Sequence, residues 1–464
     1  MSSYSEYLDS SYGSDTESVS SSVLYDEQEP FITFRNRVLN LALHKIWPDA
    51  TADEIIIERM MGGGFNRIIG ISRHTAQQPN NYVQYILRVP RYADEPLDSQ
   101  VGTLRFLHEH CNIPAPKVIH FDHTDNNELN TRYMIQNRIS GEPLLAAYPK
   151  LTHEKRSRLA QELGRLYSEI LATTSTTSTI LIPPKEQQVP PKAVTRSCME
   201  LTITRDIRDP PIPQDVHEML VNIFKDQKAA ELEVRPNSII RPKLLDQFCH
   251  MVSDLRDWDC FDNCHISLAH LDLEPRNILI NPISDASSPI LSAILDWDSA
   301  ILAPQFMCCK PPFWLWAWQG DDEEDERIAN DEPPSPEGRQ LKQLFEEAAG
   351  PDYVRFAYKP AYRLARQLVR FAVQGLCSNE DYNEARKMLQ EWKELYHDES
   401  STYVVSEEDK CSTTSSMDTS IDDEESVFIK AVVTDDTIQN YAITAWSSGD
   451  VIVRQDESTT AWLY

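Results

Sequence analysis

The sequence predicts an α+β fold of two lobes, in which a small antiparallel sheet carrying one helix precedes a mainly helical lobe. Three observations predict it. Residues 54–139 contain five short segments rich in β-branched and aromatic residues, with a single helix-like stretch between the third and the fourth. Three strands, a helix and two strands do not alternate as βαβ units do, so the sheet is expected to be antiparallel. Beyond Gly141 apolar residues return at helical spacing, and two short apolar strands interrupt that pattern around residues 276–297.

In chain order, residues 1–29 are rich in Ser, Asp, Glu and Tyr without aliphatic periodicity and read as a disordered acidic tail. FITFRNRVLNLALHKIW, from Phe31, has helical spacing and ends at Pro48. The strand segments are EIIIERM (54–60), RIIGIS (67–72), YVQYILRV (82–89), KVIHFD (117–122) and RYMIQNRI (132–139). PLDSQVGTLRFLHEH is the intervening helix, closed by Pro114 and Pro116. The sheet lobe so defined covers 30–139 and the helical lobe 140–400. KRSRLAQELGRLYSEIL (155–171) opens the second lobe, and a Thr/Ser/Pro loop (172–191) follows. Two helices are expected within 214–260 and three within 338–397. RNILI (276–280) and SAILDW (292–297) are the inserted strands. Residues 401–427 read as an acidic linker and 428–464 as a weakly alternating C-terminal tail.

With 464 residues, 41% of them hydrophobic, the chain can bury a sizeable core. Forty-four Lys and Arg against 73 Asp and Glu leave a net charge of -29, so a nucleic acid would bind against the global field and is not an expected partner. No apolar run approaches the roughly 20 residues of a membrane span, and the N-terminus has neither a basic nor an apolar signal region. No membrane partner and a cytoplasmic location are expected. Nine cysteines without a paired framework suit a reducing compartment. Cys260, Cys264, Cys308 and Cys309 read as small buried hydrophobes, because no second His/Cys pair stands at zinc spacing.

The strongest motif is His270-Leu271-Asp272-Leu273-Glu274-Pro275-Arg276-Asn277, followed by Ile-Leu-Ile and then by Asp296-Trp297-Asp298. Phosphoryl transfer needs a carboxylate to orient or deprotonate an acceptor hydroxyl, and oxygen ligands for the Mg²⁺ that neutralises a triphosphate. H-x-D-x-x-x-x-N supplies the carboxylate, Asp272, and one ligand, Asn277, on a single loop. Asp296, ending the next strand, would supply the second, and the intervening hairpin would bring the two together. Mg²⁺ takes oxygen at about 2.0–2.1 Å and keeps several waters, which suits one amide, one carboxylate and phosphates. His270 is expected to hold the loop by hydrogen bonding, not to transfer protons. A second feature, Met61-Gly62-Gly63-Gly64-Phe65-Asn66-Arg67, lies between two strands, where main-chain N–H groups can approach phosphates unobstructed by Cβ atoms. It is neither a Walker sequence nor G-x-G-x-x-G.

GGGFNRIIGIS, YILRVPR, IPAPKVI, YMIQNRISGEPL, HLDLEPRNILI and ILDWDSA occur in that order between Glu54 and Trp318. In this the chain resembles the aminoglycoside phosphotransferase and choline kinase-like family, within the protein-kinase-like fold, and looks most like the versions common in fungi. The resemblance implies a nucleotide-binding first lobe, ATP or GTP with Mg²⁺ as cofactors, and a small-molecule hydroxyl acceptor. It implies Asp272 as base, Asn277 and Asp296 as metal ligands, and Gly62, Gly63, Gly64, Phe65 and Asn66 as the phosphate-covering loop. Gln136, Asn137 and Arg138 fall where the family's hinge bonds adenine through its main chain. Two departures stand out: the usual phosphate-binding Lys is Arg88, and its usual Glu partner is Gln100. Arg offers a fork of donors but is not interchangeable with Lys, and Gln100 can accept from it without forming an ion pair. These departures point to the rival reading, a catalytically weak or silent nucleotide-binding module. A metal-dependent hydrolase would need neither the Gly-rich turn nor the hinge. Leu271, where regulated protein kinases carry Arg, speaks against activation by loop phosphorylation. The acidic run 321–326 reads as a solvated loop, and acid near the cleft as attraction for an amino-alcohol or aminosugar. PPFWLWAWQG (311–320) reads as buried packing before it reads as a pocket wall.

Overall fold

The computed structural model describes residues 30–60, 65–74, 84–91, 97–175, 178, 215–283, 285, 288–318 and 325–396. The first helix, α1 (Phe31–Leu41), runs on through a π-helical turn at Ala42–Ile46. Strands β1 (Ile55–Arg59), β2 (Asn66–Arg73) and β3 (Tyr85–Pro90), helix α2 (Leu97–His110), and strands β4 (Val118–Asp122) and β5 (Tyr133–Asn137) follow. The five strands form one sheet in the order β1-β2-β3-β5-β4, every neighbouring pair antiparallel, as the sequence predicts.

Strand alternation sorts the side chains. Ile69, Ile71, Leu87, Val89, Tyr133 and Ile135 join Phe34, Val38 and Leu41 of α1 in one buried cluster. Met134, pointing the other way, joins Leu97, Val101, Leu104 and Leu107 of α2 in a second cluster that continues into the helical lobe. The sheet is therefore held between two helices, not one: the segment read as preceding the sheet packs onto its outer face. The opposite face, carrying Ile86, Arg88, Met134 and Gln136, looks toward α2 and the second lobe.

The second lobe comprises β6 (Glu142–Pro143), α3 (Leu144–Ala147), α4 (His153–Ala172), β7 (Thr174–Ser175), α5 (Val216–Val234), α6 (Ile240–Asp257), β8 (Ile266–Ala269), β9 (Ile278–Ile280), β10 (Leu291–Ile294), β11 (Ile301–Pro304), α7 (Pro336–Ala349), α8 (Pro351–Tyr358), α9 (Pro360–Gln374) and α10 (Asn379–Tyr396). Its strands make two small sheets, β10-β9-β6 and β11-β8-β7. Four helices, not three, occupy the last stretch. Gly350 at φ +88 followed by Pro351, and Pro360 after Lys359, each close one helix and start the next. α4 and α7 meet at Gly164, where a Cβ would lie 2.5 Å from the Phe345 carbonyl oxygen. Glu162 of α4 accepts the Ile290 and Leu291 N–H groups at 3.0 and 2.8 Å, fixing the start of β10. Among the described residues no helix is long and apolar enough to cross a membrane.

Two of the four cysteines read as buried are buried and two are only partly so. Cys260 and Cys309 are buried, Cys264 and Cys308 half-buried, and all four are free thiols. Burial pushes the Cys264 thiol up to about 12.

Candidate active site

β8 ends at Ala269 and β9 begins at Ile278, so the motif of the sequence is the loop between them. Within it Asn277 Nδ2 donates to the main-chain oxygen of Asp272 at 2.9 Å and to its Oδ2 at 2.8 Å. Arg276 donates to Asp272 Oδ1 at 2.5 Å. Each carboxylate oxygen has two lone pairs, so neither contact exhausts Asp272 as an acceptor. Asn277 also accepts the Leu295 N–H at 2.8 Å through its carbonyl, and Ile278 pairs with Ile294. The β9–β10 hairpin thus brings Asn277 beside the approach to Asp296. Asp296 itself stands two residues beyond the strand, in a left-handed conformation (φ +61, ψ 57), not at the strand end the sequence predicts.

Leu271 is left-handed too, at φ +64. A non-glycine residue in this region costs on the order of 1–2 kcal/mol, so something must hold both. His270 does. Its Nδ1 accepts the Asp272 N–H at 3.3 Å and its Nε2 lies 2.8 Å from the Leu295 oxygen, so the ring spans from the residue after Leu271 to the residue before Asp296. Accepting at Nδ1 requires the proton on Nε2, which then donates to the carbonyl. Burial holds the His270 pKa below its ordinary value, which keeps the ring neutral and the tautomer fixed. Fully buried Trp297 packs against it at 4.5 Å between ring centroids.

Arg88 reaches this loop from β3. Its Nη2 donates to Asp298 Oδ2 at 2.9 Å and to Asp296 Oδ1 at 3.3 Å. The partner expected for it, Gln100, is buried on α2, and two aspartates some 200 residues away take the guanidinium instead. Burial pushes the Asp298 carboxyl up to about 7, opposed by Arg88 and reinforced by the charge of Asp296. Asp298, expected only as one of the acidic residues near the cleft, is the chief partner of Arg88.

Two of the three expected hinge residues have their main-chain donors engaged within the sheet. The Asn137 N–H donates to the Lys117 oxygen at 3.0 Å and the Arg138 N–H to the Gln84 oxygen at 3.0 Å, so both are spent inside the sheet. Lys117 N–H donates to the side-chain Oδ1 of Asn137 at 2.6 Å, where a regular ladder would use the Asn137 carbonyl. The Asn137 carbonyl and the Ile139 N–H are left without a hydrogen bond among the described residues. Gln136 is buried, with its Oε1 unpartnered. Of the glycine turn, Gly62, Gly63 and Gly64 lie outside the described residues. Phe65 is exposed, and Asn66, at the start of β2, is 5% exposed with its Oδ1 unpartnered.

On the other side of the loop opens a cavity of about 290 Å³, walled by Tyr167 and Ile170 of α4, Leu271 and Leu273 on either side of Asp272, Trp314, and Val373 of α9. Of the aromatic run, Phe313, Trp314, Leu315 and Trp316 are buried, and Trp314 alone of these four faces the cavity. Of the acidic run, residues 321–324 lie outside the described residues. Asp325 is paired with Arg327, and Glu326, on the cavity wall, with Arg366.

The donor set fits Mg²⁺. Asn277 has spent its Nδ2 and keeps its amide oxygen, and Asp296 adds a carboxylate, both hard oxygen ligands. Among the described residues no three His, Cys, Asp or Glu side chains cluster to hold a metal unaided, so water and phosphate oxygens would complete the shell.

A sheet lobe thus sends the Arg88 cation over a helical lobe that presents Asp272, Asn277 and Asp296 on one loop and one hairpin. The profile of the phosphotransferase enzyme family matches residues 73–307, just over half of the chain, which therefore belongs to that family. The structure is similar to an ethanolamine kinase of Plasmodium vivax (13% identity, TM-score 0.44, covering 78% of this chain and 87% of that one). It is similar also to the ADP-bound aminoglycoside phosphotransferase APH(2'')-Ib (13%, 0.43, 76% and 96%) and to the GDP complex of wild-type aminoglycoside 2'-phosphotransferase-IIIa (16%, 0.40, 78% and 98%). No curated protein sequence matches the chain.

Proposed function

We propose that the protein transfers the γ-phosphoryl group of ATP, or of GTP, to a hydroxyl of a small molecule, with residues 30–139 holding the nucleotide and 140–400 holding the reacting loop and acceptor. The observation that carries this reading is the state of Asn277: its Nδ2 is committed to Asp272, its oxygen remains for a cation, and its strand pairs with the one leading to Asp296. Mg²⁺ held there supplies countercharge to the phosphates. Asp272, steadied by Arg276 and Asn277, orients the acceptor hydroxyl and takes its proton. The acceptor oxygen bonds to the γ-phosphorus as the bond from that phosphorus to its bridging oxygen breaks, and the nucleoside diphosphate leaves. Arg88 offers its fork of donors to the phosphates, the turn at Phe65–Asn66 covers them, and the Asn137 carbonyl and Ile139 N–H meet the base. The net charge of -29 favours the approach of an amino-alcohol or aminosugar at long range, and the cavity beside the loop decides whether such an acceptor is held.

One observation favours the silent module: Arg88 already bonds Asp296, the carboxylate wanted for the metal. Asp272→Asn separates the two readings, because it keeps the size of the side chain and removes the base, at the cost of one of the bonds from Arg276 and Asn277. Turnover of the acceptor, or slow ATP hydrolysis, is expected to fall by roughly 10²–10⁴-fold while the dissociation constant for Mg·ATP barely moves. Equal rates for the two proteins would leave only the binding module.

A further inference from the structure

We propose that the cavity beside Asp272 takes an uncharged alcohol carried on an aromatic or branched aliphatic body, and not a polyamine sugar or a quaternary amine. The inference deepens the phosphotransferase reading and rests on it for the chemistry, but the binding preference stands on the cavity itself.

Charge decides first. The wall carries three carboxylates, Glu274, Asp298 and Glu326, and three cations, Lys310, Arg366 and Arg370. Each has a partner: Lys310 holds Glu274 at 2.8 Å, Arg366 Nε holds Glu326 at 3.1 Å, Arg88 holds Asp298 at 2.9 Å, and Arg370 pairs with Glu384. His270, also on the wall, is neutral and bonded at both nitrogens. Asp298 alone shares its cation, since Arg88 also holds Asp296 at 3.3 Å, and its unpartnered Oδ1 is buried. An ammonium group entering here would give up its hydration and find, among the described wall residues, no other carboxylate without a cation of its own. Burying an ion unpaired costs several kcal/mol, so each added amine counts against binding. The acidity of the chain as a whole attracts cations at a distance, yet this cavity does not offer to hold them.

Shape and surface point the same way. Between the paired charges the wall carries Tyr167, Ile170, Leu273, Ile301, Met307 and Trp314, which reward burial of apolar area, beside four uncharged polar side chains, Ser99, Ser299, Gln367 and Gln374. A volume of about 290 Å³ is at the small end of ligand cavities, which run from roughly 300 to 1,000 Å³, and suits one or two rings, not three linked sugars. Leu271 and Leu273, the chain neighbours of Asp272, line it, so the cavity opens on the loop that carries the carboxylate.

The test uses the full chain and four probes: 2-(2-naphthyl)ethanol, choline, ethanolamine and kanamycin. Equilibrium dialysis without nucleotide should rank naphthylethanol first, with a dissociation constant at least about tenfold below the other three. Val373→Trp, at a half-buried wall position, should abolish that preference by filling the cavity. If the variant does not fold, the ranking on the natural chain decides alone. Amines binding as well as naphthylethanol, or no measurable binding of naphthylethanol, would overturn the inference. Phosphorus NMR with Mg·ATP then keeps the two ideas apart. Naphthylethanol bound but never phosphorylated would sink the transferase reading and leave the binding preference. Phosphorylation of ethanolamine or kanamycin in preference to naphthylethanol would do the reverse.

Discussion

The sheet lobe and the catalytic loop present charged groups to the same cleft by opposite means. In the sheet, regular antiparallel register does it: Arg88 pairs with Met134 and Ile86 with Gln136, and alternation alone turns these side chains toward the second lobe. In the loop, Leu271 and Asp296 are both forced into left-handed conformations, and one neutral imidazole ties the two bends together. A ladder can aim a side chain only perpendicular to its sheet. A carboxylate that must project beyond a strand end needs a strained turn, and the strain has to be offset by a buried, fully bonded neighbour.

The largest effect expected from this contrast is at His270. His270→Ala removes two hydrogen bonds, each worth about 0.5–1.5 kcal/mol net, and leaves a hole beside Trp297, so a loss of about 2–4 kcal/mol is expected in urea unfolding. Turnover should fall with it, because Asp272 and Asp296 lose their common tether, although the ring touches no reacting atom. His270→Gln, able to keep one bond, should lie between. A stable His270→Ala protein with full turnover would mean the loop holds its own strain.

That tether was half legible in the sequence. Asp272, Asn277 and the hairpin behind them are local, so eight residues and two apolar runs sufficed to place them, and His270 was read as a loop-holding residue. β8 and β11 were not legible: ISLA and ILAP are buried on every residue and give no alternation to detect. Nor was the Arg88–Asp298 pair, whose members stand 210 residues apart and meet only because the lobes do. The unbonded Ile139 N–H has no side-chain signature, and the ion pairs around the cavity have none in sequence because each joins different elements.

A smaller effect is expected on the sheet side. Arg88→Met deletes a largely buried cation, but the ladder beneath it does not depend on that side chain. A loss of about 1–2 kcal/mol is expected, less than at His270, since an uncompensated carboxyl at Asp298 can take up a proton. Binding should suffer more than folding: thermal stabilisation by Mg·ATP should drop while that by adenosine, which has no phosphate, is retained. Equal losses for both ligands would make Arg88 a structural residue of the lobe contact.

The smallest effect tests the hinge. In Asn137→Ala the Lys117 N–H loses its side-chain acceptor at 2.6 Å, but the Asn137 carbonyl stands where a regular ladder would use it. The strand pair can therefore restore the bond with the main chain, and the net cost should stay within about 1 kcal/mol. The same repair consumes the carbonyl proposed to face the base, so adenosine affinity should fall several-fold in a protein of nearly unchanged stability. That separation is what a ladder makes possible and the strained loop does not: in the sheet, binding can be removed without unfolding. Unchanged adenosine affinity would show that the carbonyl does not contact the base, and a loss of stability well beyond 1 kcal/mol would show that the Asn137 side chain holds the edge strand in place.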